Sequence, residues 1–172
     1  MKYDYLIIYN DFFNKSISYM DFKNKLFNWF DNASIEQLHQ FNDYIIDDQF
    51  TAYDADMVML TYITVWLIPN RFNKNIEIQC ADNMYMGFLK MVLDEYADDM
   101  KKECELISTN LNYNIYKRHN VYMILNLSDI DINIPLPSAL TNSTHYCINC
   151  NDDIELEDYV ELYPFGFYLI EK

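Results

Sequence analysis

The chain reads as an α+β protein, mainly helical over its N-terminal two-thirds around one buried central helix and ending in a small antiparallel β meander. Three observations predict this. Residues 54–68, DADMVMLTYITVWLI, are apolar on every side, which suits a helix only in a core or a membrane. Segments to either side place apolar residues at helical spacing. Beyond residue 110 the apolar period shortens and turn residues recur, as in short strands.

Within the central stretch only Thr61 and Thr64 interrupt the apolar run from Met57 to Ile68. The run falls short of the roughly 20 residues that span a bilayer. Asp54 is placed to cap it and Asp56 to meet the positive end of its dipole. Pro69 removes a backbone donor and ends it. Its β-branched residues would also suit a buried strand, but its length favours a helix.

Residues 3–9, YDYLIIY, read as a short buried strand or as the start of a helix. Residues 18–30 carry Tyr19, Phe22, Leu26, Phe27, Trp29 and Phe30 at helical spacing, with Ser18 as the cap. A second helix starts at Ser34, which forms a capping box with Gln37; its stripe is Ile35, Leu38, Phe41, Tyr44 and Ile45. After the central helix and a PNRFNKN loop comes a short strand at residues 76–79. Residues 82–107 read as one long helix, with Tyr85, Phe88, Leu89, Val92, Leu93, Tyr96 and Met100 inward and an acidic second half. Strands follow at 121–127, 145–148, 158–163 and 165–170, with IDINIPLPSAL as an extended connection and Pro164-Phe165-Gly166 as a turn. A single domain is expected over residues 1–172, helical to about residue 110 and β-rich from about 111.

Composition narrows the functional classes. Sixteen Tyr, eleven Phe and two Trp supply a core and argue against a disordered acidic chain. The only glycines, Gly87 and Gly166, are far apart, so no glycine-rich loop can cradle a phosphate. A net charge of −15 disfavours nucleic acid and anionic membranes and speeds encounter with a basic partner. The start, MKYDYLIIYNDFF, lacks the pattern of a signal peptide. The cytosol is therefore the expected compartment, with Cys80, Cys104, Cys147 and Cys150 as reduced thiols.

The sharpest local motif is Cys147-Ile-Asn-Cys150 with His145 before it. CxxC is half of a zinc site or a redox pair. A zinc site would need Cys80, Cys104 or His119 brought close by folding, and a redox motif would open a helix. Ordinary cysteines are the expectation, with no metal and no cofactor. His39, His119 and His145 are widely separated, and the basic run Tyr116-Lys117-Arg118-His119 is too small to reverse the global field. Asn151-Asp152-Asp153-Ile154-Glu155 lacks the glycine and spacing of a calcium loop. No nucleophile sits in an elbow-like turn, and the chain is not expected to be an enzyme.

What remains is acidity interleaved with tyrosine. The last 22 residues carry seven carboxylates against Lys172. Asp94, Glu95, Asp98, Asp99, Asp152, Asp153, Glu155, Glu157, Asp158 and Tyr159 are the expected partner-binding residues, because carboxylates pair with Arg and Lys and tyrosine offers rigid contact area. The composition is similar to that of immunity proteins, which are often small and acidic. It implies an immunity protein or antitoxin that neutralises a toxin, a basic nuclease above all, by covering its active or substrate-binding site. A viral protein that mimics nucleic acid to block a defence system is the alternative. A small zinc or thiol enzyme using His145, Cys147 and Cys150 is the remote one.

Overall fold

The computed structural model describes residues 4–46, 55–69 and 84–172. The expected strand at 76–79, Asp54 and Cys80 lie outside them. The chain divides into two compact units, Met1–Leu89 and Lys90–Lys172.

The first unit is helical. Helices α1 (Asp4–Phe13), α2 (Tyr19–Asn32), α3 (Ile35–Ile46) and α4 (Ala55–Tyr62) follow in order. The ambiguous YDYLIIY segment is helix, because Tyr5, Tyr9 and Phe12 fall on one buried stripe at four- and three-residue spacing while Ile7 faces out. Ser18 caps α2, its Oγ accepting the Asp21 amide at 3.1 Å. The capping box of α3 forms as expected: the Gln37 amide donates to Ser34 Oγ at 3.2 Å and the Ser34 amide to Gln37 Oε1 at 2.8 Å. In the α3 stripe Leu38 and Phe41 are buried, whereas Ile35 is two-thirds exposed, since it precedes the first full turn.

The central apolar stretch is a helix, and it widens into a π-helical turn at Ile63–Leu67 before Pro69. Every residue of that turn is buried. The two threonines explain how polar atoms survive there. Thr61 Oγ1 donates to the Met57 carbonyl at 2.9 Å and Thr64 Oγ1 to that of Leu60 at 2.7 Å. Each hydroxyl also meets a tyrosine, Tyr9 at 2.7 Å and Tyr19 at 2.8 Å. These bonds satisfy groups whose burial would otherwise be costly.

Helix α5 (Met84–Glu95) carries the boundary between the units. The long helix expected over 82–107 ends early: the chain breaks at Tyr96, forms the short α6 (Ala97–Met100), and becomes strand β1 (Glu105–Thr109). Two forces shorten it. The buried Arg118 donates through Nη1 to the carbonyls of Met100 (3.0 Å) and Lys102 (2.9 Å), capping the end of α6. β1 then gains a ladder with β2 (Tyr113–Arg118), a long-range contact that helical periodicity cannot register.

The expected meander is a two-sheet arrangement. With β3 (Val121–Asn126), β4 (Ile132–Pro135), β5 (Ser143–Cys147), β6 (Asp152–Leu156), β7 (Tyr159–Leu162) and β8 (Phe167–Glu171), the larger sheet has the order β1-β2-β3-β8-β5-β6 and the smaller pairs β4 with β7. All pairings are antiparallel. One apolar cluster joins the sheets, with Ile115, Ile124, Cys147, Leu156 and Ile170 from the larger and Ile134, Val160 and Leu162 from the smaller. Such a sandwich follows from the period-two alternation of each strand.

At the C-terminal corner the expected turn forms. Gly166 is needed for close approach: a Cβ there would stand 2.9 Å from the Tyr163 ring and 3.0 Å from its carbonyl oxygen. Beside it, fully buried Asn126 shares its two Nδ2 hydrogens among the carbonyls of Ile130 (2.8 Å), Leu162 (3.0 Å) and Tyr163 (2.8 Å). Its Oδ1 accepts from the Ser128 amide at 2.8 Å and hydroxyl at 2.7 Å. Asn126→Ala would strand several of these groups, so it is expected to lower unfolding free energy by about 2–4 kcal/mol. Urea denaturation of the full chain measures this, and a loss near zero would show that water replaces the amide.

Candidate functional site

All ten sequence-selected residues lie on the second unit's elements or at the end of α5, and the fold does not keep them together. Asp94 and Glu95 are exposed at the C-terminal end of α5, which has no basic residue in its last turn. Carboxylates there oppose the helix dipole rather than complement it. Asp98, on α6, is held by Lys101 Nζ at 2.9 Å. That hydrogen bond and charge lower its pKa. Asp99 is turned inward: its Oδ1 lies 2.7 Å from His119 Nδ1 and accepts the Asn120 amide at 3.0 Å. It thereby holds the β2–β3 turn, where His119 takes a left-handed φ of 52°, a conformation that costs a non-glycine residue.

The C-terminal acidic run is divided by strand alternation. Leu156, Val160 and Leu162 point into the core between the sheets. Asp153 and Glu155 therefore stand on the outer face of the larger sheet, opposite Tyr146 and Thr144 of β5. Tyr159 and Glu161 stand on the outer face of the smaller sheet, opposite Pro135 and Asn133. Glu157 and Asp158 connect the two, with Asp158 Oδ1 accepting from Asn142 Nδ2 at 3.2 Å. Asp152 is exposed at the start of β6, its Oδ1 accepting the Asp153 amide at 2.8 Å.

One gathering does occur, on the larger sheet's outer face. Glu171 of β8 pairs with Tyr146 of β5, which pairs with Asp153 of β6. Cross-strand partners lie about 5 Å apart, so the three form a continuous row. Tyr96 joins α5 to it by donating its hydroxyl to Glu171 Oε2 at 2.9 Å. Burial raises the Tyr96 pKa far above its ordinary value, and the Glu171 hydrogen bond, Glu171, Glu95 and Tyr146 raise it further. Tyr96 is thus fixed as a neutral donor among carboxylates. Asp94, Glu95, Asp153, Glu155 and Glu171 are all exposed and make no ion pair among the described residues. Tyr96, Tyr146 and Glu171 were not among the residues selected from sequence; only the non-local β8–β5 pairing reveals them.

The CxxC motif is a structural turn. Cys147 and Cys150, expected as reduced thiols, are joined as a disulfide across the β5–β6 connection, which brings their Cα atoms to 5.2 Å. Cys147 and Ile148 are buried. Asn149 docks the turn on β8, accepting the Leu169 amide at 2.8 Å and donating to the Phe167 carbonyl at 3.1 Å. His145 Nε2 lies 2.7 Å from Ser143 Oγ. Among the described residues no three His, Cys, Asp or Glu side chains converge as metal ligands would. None of their helices is long and apolar enough to cross a membrane.

No family model and no curated protein sequence matches the chain. Among solved structures, an Anoxybacillus α-amylase aligns over 53% of this chain and 23% of its own, with 13% identity and a TM-score of 0.42. A maltooligosyl trehalose synthase aligns over 81% of this chain and 16% of its own, with 10% identity and a TM-score of 0.40. The chain spans less than a quarter of either enzyme's length, and likenesses of this size carry no argument about activity.

The raised Tyr96 pKa has a consequence for stability. A tyrosine that holds its proton more tightly when folded contributes fully below the unfolded value near 10 and progressively less as pH rises above it. Stability is therefore expected to fall above about pH 10, and Tyr96→Phe should flatten that fall. Denaturant midpoints across pH 8–11 for both proteins, roughly the range of tyrosine ionisation, check it. Parallel curves would deny the link.

Proposed function

We propose that this protein is an acidic inhibitor that binds a basic protein partner. The reading that fits best is an immunity protein or antitoxin, covering the active or substrate-binding site of a nuclease toxin. The observation that carries it is the larger sheet's outer face, where Glu171, Tyr146 and Asp153 form a cross-strand row with Glu155 on the same face of β6 and the Tyr96 hydroxyl bonded to Glu171. A nuclease must present cationic groups to hold phosphates, and a rigid array of carboxylates competes for them with electrostatically steered association. Tyr146 supplies semi-rigid contact area and a face for cation–π contact. Asp98 and Asp99 are engaged within the fold, which leaves the sheet residues as the main determinants.

The reading is tested in two steps. Capture from host lysate at low salt, with elution by rising salt, should yield a basic protein whose nuclease activity the purified protein abolishes. Asp153→Lys with Glu155→Lys should then slow association about tenfold or more. Glu161→Lys, on the opposite face of the sandwich, should leave the rate within about twofold. Equal effects from both substitutions would reduce the interaction to net charge. No effect from either would end the electrostatic reading.

A further inference from the structure

A separate concavity lies in the first unit, and among the described residues that line it the one charged side chain is a lysine. It has a volume of about 540 Å³ and is formed by α1, α2 and the start of α3, within the usual range of small-molecule sites of roughly 300–1,000 Å³. Ile8 and Trp29 supply its apolar wall. The Trp29 ring is held in place by edge contacts to Tyr5 at 4.9 Å and Phe30 at 5.1 Å and a tilted contact to Phe41 at 5.6 Å. Such a wall is rigid before any ligand arrives, which lowers the entropy lost on binding.

The polar lining is Lys25, Asn28, Asn32 and Gln37. In a chain of 27 acidic and 12 basic residues, no carboxylate among the described residues lines this concavity, and Lys25 makes no ion pair with any of them. The amides have defined spare capacity. Gln37 Oε1 is taken by the Ser34 amide, leaving its NH₂ group to donate. Asn32 Nδ2 donates to the Asn28 carbonyl at 2.7 Å, leaving its Oδ1 to accept. The Asn28 side-chain amide is unengaged among the described residues, leaving both its NH₂ and its oxygen available. The site therefore combines a fixed aromatic wall, one ammonium and a mixed amide rim.

We infer that this concavity binds a small carboxylate with an apolar or aromatic body, the carboxylate on Lys25 and the body against Trp29 and Ile8. Among the described residues it offers no counter-charge to a cation. A nucleotide would bring several negative charges to a single lysine on a chain of net charge −15. One carboxylate matches one ammonium and can also accept from the Gln37 and Asn28 amides. This inference is independent of the acidic sheet face and stands or falls separately.

Phenylpropionate is the probe, with phenylpropanol as its neutral counterpart, each titrated into isotope-labelled protein to about 20 mM, which detects millimolar affinity. The carboxylate should give saturable NMR shifts at the Trp29 indole N–H and the Asn28, Asn32 and Gln37 amides, and bind more tightly than the alcohol. Lys25→Met keeps an exposed apolar stem; it should weaken the carboxylate about threefold, as expected for one solvent-accessible ion pair, and leave the alcohol unchanged. Absence of saturable shifts at these groups would overturn the assignment. So would equal binding of acid and alcohol, or a Lys25→Met variant that binds the carboxylate as the original does.

Discussion

The second unit depends on the amide of Asn126 being completely used. It stands at the end of β3, where the chain leaves the larger sheet for the smaller, and it returns beside the end of β7. Three carbonyls from two sequence-distant segments end within reach of one buried side chain. A buried carbonyl without a donor is costly, and an apolar side chain there could serve none of them. By closing this corner, Asn126 fixes where β7 lies against β4 and where the chain turns at Gly166 into β8, whose pairing with both β3 and β5 unites the larger sheet.

That closure decides what the acidic residues can do. In sequence, NDDIELEDYVE is one charged run; in the fold, period-two alternation and the move between sheets put its members on opposite faces of a sandwich. β6 is also an edge strand of the larger sheet. Carboxylates at an edge discourage pairing with another chain's strand, so Asp153 and Glu155 serve solubility as well as any partner. Asp94 and Glu95 are harder to assign to stability, because they sit at the helix end where negative charge is unfavourable. Their placement opposes the dipole, so they do not stabilise the helix they end.

The helical unit was legible in the sequence because its determinants are local. Ser18, the Ser34–Gln37 box and the Pro69 stop act within a turn of the residues they organise. Residues 3–9 alone left strand and helix open, and the helical stripe of Tyr5, Tyr9 and Phe12 emerges only over eight residues. The failures were of another kind. Residues 105–107 continue a helical pattern well enough, but Arg118, distant in sequence, caps the preceding carbonyls, and β2 offers a ladder. Likewise Glu171 is an unremarkable penultimate residue until β8 is laid beside β5. Only then do Tyr96, Tyr146 and Asp153 fall in line with it.

The CxxC motif illustrates why a spacing rule needs its structural context. Two cysteines three residues apart can hold a metal, exchange electrons or close a turn, and the surroundings select among these. Here the turn is already fixed by backbone: Asn149 occupies β8's free amide and carbonyl, Ile148 donates to the Leu169 carbonyl at 2.8 Å, and five register pairs join β5 to β6. A cross-link closing so short a loop removes little unfolded-chain entropy. Reduction in a cytosol would thus take away the least of the constraints on this hairpin. The backbone pairing that sets the register of the strand carrying Asp153 and Glu155 is made without the sulfur atoms, so that strand is expected to keep its register when the disulfide is reduced.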